Sequence, residues 1–185
     1  MNYRLKKVAV LGSGIMGSGI ACHLANVGME VVMLDIVTPD LNDEKSKSTV
    51  ERNKLVNSAL QKTIKSKPAP LYHKSFASRI KTGNFEDDFQ KIAESDWIIE
   101  VVVENLKIKK QIFEKVDKYR KKGSLVSSNT SSIPINLLAQ DRSDDFKKSF
   151  CGTHFFNPAR YLRLLEIIPT NDTLQGVTDF FMEFG

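Results

Sequence analysis

Two sets of residues in this sequence have the types and spacing to do chemistry. The first is Gly12-Ser13-Gly14-Ile15-Met16-Gly17, a G-x-G-x-x-G run. Glycine triplets recur by chance, so the run acquires meaning only from its surroundings. Here the β-branched stretch Lys7–Leu11 precedes it, a helix-compatible stretch from Ile15 follows it, and a second apolar stretch ends at Asp35. That strand–turn–helix–strand order is the context a dinucleotide requires. In it, Gly12 permits the tight turn, Gly14 lets backbone approach a pyrophosphate, and Gly17 lets helix and strand pack closely. Asp35 stands where a carboxylate accepts hydrogen bonds from an adenosine ribose and repels a 2′-phosphate, so NAD is expected over NADP. The second set is His154 and Glu166, twelve residues apart. If the two segments are antiparallel strands, the side chains meet. A carboxylate on one ring nitrogen then fixes the tautomer and leaves the other nitrogen to move protons.

The elements that must position these groups are legible from periodicity. Lys7–Leu11, Glu30–Leu34, Ile80–Thr82, Asp96–Val103, Leu125–Ser127, Phe150–His154 and Leu164–Ile167 read as strands. Ile15–Val27, closed by Gly28, reads as a helix, as do Lys107–Tyr119, Pro134–Leu138 and the stretch from Leu174 to the end. Residues 40–65 predict one long exposed helix, ended by Lys67-Pro68-Ala69-Pro70 and paired with a short helix over Tyr72–Ser78 as a helical hairpin spanning about 40–79. Alternating strands and helices give an α/β, Rossmann-type doubly wound fold. Its sheet is mostly parallel, with the hairpin as an insertion and a final antiparallel strand.

Composition narrows the function classes. The 185 residues, 41% hydrophobic and 26% charged, suit one domain with a single large core. Two cysteines, Cys22 and Cys151, are too few for a disulfide framework, and their spacing matches no metal site. No apolar run suggests a membrane span, and the basic start runs straight into a strand, so a cytoplasmic protein is expected. Charge is uneven: between Glu51 and Glu86 there is no acidic residue, while Arg52, Lys54, Lys62, Lys65, Lys67, Lys74, Arg79 and Lys81 fall inside that interval. Such an excess suits either a polyanionic partner or a solvated face. No nucleic-acid motif accompanies it. The apolar stretch around Val177, Phe180, Phe181 and Phe184 runs to Gly185 with no polar tail, as in a chain cut from a longer one.

Four segments together resemble the 3-hydroxyacyl-CoA dehydrogenase family: GSGIMGSGIA from Gly12, ENLKIK from Glu104, SNTSSI from Ser128 and HFFNPARYLRLLE from His154. The stretch LQKTIKSKPAPLY from Leu60 is more similar to the larger bacterial multidomain forms, which carry an enoyl-CoA hydratase domain further along. The resemblance implies oxidation of an L-3-hydroxyacyl-CoA to the 3-oxoacyl-CoA in fatty-acid β-oxidation, with hydride passing to NAD. It implies a catalytic dyad of His154 and Glu166, and a serine, Ser131, that bonds the substrate oxygen. As a bare residue Ser131 is a helix cap, a part Ser132 could play equally. It also implies cofactor-lining parts for Glu104, Lys109 and Asn157, and a coenzyme A site beside the hairpin. Lys62, Lys65 and Lys67 are the candidates there. A separate all-helical domain, absent from this chain, is implied as the other wall of the substrate cleft and as the seat of any homo-oligomer. Two other readings remain open at this stage: a dehydrogenase of a small free hydroxy acid, and a module that senses NAD without turnover. Retention of both His154 and Glu166 argues against the sensor, and the basic interval argues for a CoA thioester.

Overall fold

A computed structural model describes residues 3–185. Among them, seven strands form one sheet: β1 (Lys7–Leu11), β2 (Glu30–Asp35), β3 (Ile80–Asn84), β4 (Trp97–Glu100), β5 (Leu125–Ser128), β6 (Phe150–Phe155) and β7 (Leu165–Pro169). Their order is β3-β2-β1-β4-β5-β6-β7. Every neighbouring pair is parallel except β6 and β7, which are antiparallel. The strand order reverses beside β1. In an open parallel sheet, that is where a crevice opens at the carboxyl ends of the strands.

Alternation along the central strands splits their side chains between two cores. Val8 and Val10 of β1 and Trp97 and Ile99 of β4 join one core; Ala9, Leu11 and Ile98 join the other. The first is covered by α1 (Ile15–Asn26), by α3 (Lys54–Ile64, behind the single turn α2, Thr49–Arg52) and by α7 (Gln175–Phe184). The second is covered by α4 (Leu106–Tyr119), α5 (Ile135–Ala139) and α6 (Asp144–Lys148). Helices on both faces bury the sheet on both sides, which is why β1 reads as a continuous apolar run. Phe113, Phe146 and Phe150 meet ring to ring, with centroids 5.1–5.6 Å apart. Truncating one of these buried rings to alanine would cost about 3–5 kcal/mol.

The expected helix over residues 40–65 is broken. Residues 45–47 make a 3-10 turn, and α2 stops at Arg52. The cause is Thr38: its hydroxyl accepts from Leu55 N–H at 3.0 Å, while Arg52 C=O accepts from Thr38 N–H at 2.9 Å. The side chain and backbone of Thr38 thereby replace the helix's own ladder at Asn53. The second arm of the hairpin is a 3-10 turn at Lys74–Arg79, and both arms rest on α1. The strand expected over Asp96–Val103 ends at Glu100, because the Glu100 carboxylate accepts from Val102 N–H at 2.7 Å and turns the chain. Two short elements were not legible, the 3-10 turn Phe89–Glu94 and α6.

No helix is long and apolar enough to cross a membrane among the described residues. Both cysteines are free and buried, and burial pushes each thiol up to about 12.

Candidate functional site

A cleft of about 1410 Å³ opens along the carboxyl ends of β2, β1, β4, β5 and β6. Gly12, Gly14, Ile15, Met16 and Asp35 line one end of it. Ser131, His154 and Asn157 line the other, with Glu104 and Lys109 between. Every residue expected at the cofactor or the reacting centre lines this one cleft except Gly17 and Glu166. Those two stand directly behind Gly12 and His154 respectively.

The glycine turn has a steric basis. Gly12 has φ +112°, and a Cβ there would lie 2.6 Å from Val101 C=O. A Cβ on Gly17 would lie 1.9 Å from Gly12 C=O, so the helix can start under the loop only if both are glycine. Gly14 differs: a Cβ there would meet no protein atom within 4 Å, so that space belongs to the cleft. Gly14 is also the N-cap of α1, with no side-chain cap and no acidic residue in the first turn. The first turn thus leaves backbone N–H groups facing the cleft, where an anion satisfies them. Asp35 ends β2 and accepts from Ser13 N–H and from Ser13 Oγ, both at 2.6 Å, and from Ile36 N–H at 2.7 Å. A carboxylate has about four acceptor sites, so one stays open to a ribose hydroxyl. Ile36, Phe85 and Tyr119 add an apolar wall beside it. These features fit a dinucleotide.

At the far end, His154 on β6 stands opposite Glu166 on β7, register partners in the antiparallel pair. His154 Nδ1 lies 2.6 Å from Glu166 Oε2. Among the described residues Nε2 has no partner, and the ring is backed by Phe156 at 4.5 Å between centroids. The imidazole therefore has one nitrogen held and one available to the cleft. Asn129, at the end of β5, accepts from Phe155 N–H at 2.8 Å and fixes the ends of β5 and β6 together.

Between the two ends lies a charged cluster that sequence reasoning saw only in part. Lys109 is 1% exposed, with its ammonium 2.8 Å from Glu100 and 3.2 Å from Glu104. Glu100, wholly buried, also accepts from Ser128 Oγ at 2.5 Å. Burial pushes the Glu100 carboxyl above its ordinary range, against the pull of Lys109, Ser128 and the Val102 N–H. Glu104 accepts from the Ser131 and Ser132 N–H groups, each at 3.2 Å, from Ser132 Oγ at 3.0 Å and from Thr130 Oγ1. Burial alone would raise Glu104, but hydrogen bonds from Thr130 and Ser132 and the Lys109 ammonium outweigh it and hold the carboxyl down to about 2. Glu100, Ser128 and Thr130 escaped the sequence reading because a carboxylate inside an apolar strand carries no local sign of its partners. The two serines differ in where they sit. The Ser132 hydroxyl is taken by Glu104, whereas Ser131 lines the cleft, and neither caps α5, whose N-cap is Pro134.

Lys62, Lys65 and Lys67 are exposed and lie outside the cleft. The loop after β6 reaches their end of the molecule: Arg160 donates to Ala69 C=O at 2.5 Å and to Leu71 C=O at 3.0 Å, with its guanidinium over the rings of Tyr72 and Tyr161.

Comparison with known proteins agrees with this geometry. Residues 7–185 match the family model described as 3-hydroxyacyl-CoA dehydrogenase, NAD binding domain. A probable 3-hydroxyacyl-CoA dehydrogenase of Bacillus subtilis is 55% identical over 191 residues, covering all of this chain and 24% of that protein. A putative fatty acid oxidation complex trifunctional enzyme of Rickettsia felis is 43% identical, over 91% of this chain and 22% of its own length. The chain thus spans about a quarter of either relative. Among solved structures, an (S)-3-hydroxybutyryl-CoA dehydrogenase from Ralstonia eutropha superposes with a TM-score of 0.73 at 31% identity, covering 98% of this chain and 60% of that one.

Proposed function

As the chain belongs to the 3-hydroxyacyl-CoA dehydrogenase family, through its NAD-binding domain, we propose that it serves the oxidation of an L-3-hydroxyacyl-CoA to the 3-oxoacyl-CoA in fatty-acid β-oxidation. The observation that carries the reading is the His154–Glu166 pair, at 2.6 Å, at the opposite end of one cleft from the glycine turn and Asp35.

A secondary alcohol cannot lose hydride from its carbon unless the hydroxyl proton leaves as well. NAD, when bound, supplies the hydride acceptor. His154 Nε2 takes the hydroxyl proton, and Glu166 on Nδ1 fixes the tautomer and stabilises the imidazolium that forms. Ser131, with its hydroxyl at the cleft, bonds the substrate oxygen as it becomes a carbonyl. Asn157, two residues beyond β6, orients the nicotinamide end, and Asp35 favours NAD over NADP. Lys62, Lys65 and Lys67 attract the coenzyme A phosphates. We propose also that productive turnover draws on sequence outside these 185 residues, because the chain spans only about a quarter of the length of the Bacillus subtilis and Rickettsia felis relatives. The domain unit is then residues 1–185, with an all-helical domain of the whole protein as the other wall of the acyl site. Any homo-oligomer would form through that domain.

The test is NADH formation from an L-3-hydroxyacyl-CoA, measured on the whole protein and on this chain alone. We expect turnover in the whole protein, and cofactor binding with little or no turnover in residues 1–185. No turnover of any 3-hydroxyacyl-CoA by the whole protein would overturn the substrate assignment. Full turnover by residues 1–185 would overturn the need for a second wall.

A further inference from the structure

The middle of the cleft wall holds two carboxylates and one ammonium: Glu100, Glu104 and Lys109. A purely structural role needs only a neutral pair. Lys109 Nζ is nearer to Glu100, at 2.8 Å, than to Glu104, at 3.2 Å. Burial raises the Glu100 carboxyl, but every neighbour within bonding distance is a donor, namely the Val102 N–H, Ser128 Oγ and Lys109 Nζ, a set that matches a carboxylate with an ammonium beside it. Among the described residues no other cation bonds either acid. One negative charge is therefore in surplus. Glu100 is shut away from solvent while the Glu104 side chain is 37% exposed, so the surplus reaches the cleft through Glu104.

The sheet shows which part of a ligand meets that charge. A dinucleotide with its adenosine ribose at Asp35 on β2 and its pyrophosphate at the glycine turn after β1 continues over β4 to β5. Three strand intervals separate β2 from β5, roughly 14 Å at about 4.8 Å each. The nicotinamide end then lies beside Glu104 and Ser131, next to His154. This ring is cationic in NAD+ and neutral in NADH.

We propose that the cluster sets the preference between oxidation states of the cofactor: Glu100 occupies the charge of Lys109, leaving Glu104 to attract the cationic ring of NAD+ over the neutral ring of NADH. The proposal rests on the NAD reading of the cleft and deepens it. It makes Glu104 the residue that discriminates the two forms, and Glu100 a positioning residue that acts through Lys109. The consequence is weaker retention of the reduced cofactor once hydride has passed.

The experiment is calorimetric titration of NAD+, NADH and ADP-ribose into this chain and into its Glu104→Gln and Glu100→Gln variants. The ratio of the NAD+ to the NADH dissociation constant is the readout, because general damage to the site moves both constants together. Glu104→Gln should raise that ratio roughly three- to tenfold, the scale of one unit charge across several ångströms of partly hydrated cleft. Glu100→Gln should raise it in the same direction, since Lys109 is then free to neutralise Glu104. ADP-ribose, which lacks the ring, should bind within about twofold of the parent. An unchanged ratio in Glu104→Gln overturns the proposal, as does ADP-ribose weakening in step with NAD+. An unchanged ratio in a folded Glu100→Gln removes Glu100 from it. Should that buried variant not fold, Glu104→Gln at the cleft surface decides alone. Failure of the parent chain to bind any of the three would instead reject the NAD reading.

Discussion

The two ends of the cleft are built by opposite means. At the Asp35 end, the contacts are made by backbone and by absence: glycines at 12, 14 and 17, an uncapped start to α1, and one carboxylate. At the His154 end they are made by polar side chains that tie one segment to another: Glu166 holds His154, Asn129 holds the Phe155 N–H, and Glu104 holds the Ser131–Ser132 loop. Even the helix starts differ. α1 begins bare, whereas α4, beside the same cleft, is capped by Asn105, whose Oδ1 accepts from Ile108 N–H at 3.1 Å. A helix start left bare at the edge of a ligand cleft is available to an anion; a capped one is already satisfied. If the first end binds a constant group and the second performs a step, substitutions should separate them.

The largest separation is expected at His154. In the whole protein, His154→Ala removes the base and should lower kcat by about 10²- to 10⁴-fold. Titration of the same variant should show NAD affinity unchanged within about twofold, since the ring lies beyond the nucleotide half of the cleft. Near-normal turnover would remove His154 as the base and break the division between the ends.

The glycines should behave in two ways within one short loop. Gly17→Ala places a Cβ 1.9 Å from Gly12 C=O, a backbone clash that cannot be relieved by side-chain motion. It should destabilise the fold by several kcal/mol, on the order of the strongest single-site effects, read as a lowered urea midpoint. Gly14→Val meets no protein atom within 4 Å, so the midpoint should move little while NAD binding is lost by filling the pyrophosphate space. Equal damage to stability by both variants would show that Gly14 serves the turn and not the ligand.

This contrast explains what the sequence revealed and what it concealed. The glycine turn, its flanking strands and Asp35 were legible because the information sits within the 29 residues from Lys7 to Asp35 and each residue's role is local. The β6–β7 pairing was legible because both strands and the intervening Asn157-Pro158 turn are short and adjacent. The broken helix at Asn53 was not legible, because Thr38, fourteen residues before Arg52, supplies the competing bonds. The charge state of the cleft wall was hidden for the same reason. Glu100 reads as one polar letter in a β-strand, and its partner Lys109 reads as a surface lysine on α4. Only the fold shows that they meet at 1% exposure or less.

Asp35 tests the first end more finely. Its carboxylate both lines the cleft and holds Ser13 through two 2.6 Å bonds. Asp35→Ala should therefore weaken NAD and, by removing the repulsion toward a 2′-phosphate, weaken NADP less, so that the preference narrows. The loss for NAD should be on the order of tenfold, the worth of a hydrogen bond to a charged group. Titration of both cofactors checks it, and a parallel loss for both would assign Asp35 to the loop alone.

The smallest effect is expected where neither end reaches. Lys62, Lys65 and Lys67 are exposed and outside the cleft, so they can act on a coenzyme A phosphate only through solvent-screened attraction. Exposed charges of this kind are screened over about 8 Å at physiological ionic strength and over about 30 Å at 0.01 M salt. Replacing all three by Gln in the whole protein should weaken acyl-CoA binding severalfold at low salt. At 0.15 M salt the difference should shrink toward nothing, and NAD affinity should stay the same in both. Arg160 gives the comparison its control, because it ties the same turn to the loop after His154 through Ala69 and Leu71 C=O. A loss that persists undiminished at high salt would mean that the lysines, like Arg160, shape the turn. No loss at low salt would leave them as ordinary solvated surface and place the coenzyme A phosphates elsewhere on the protein.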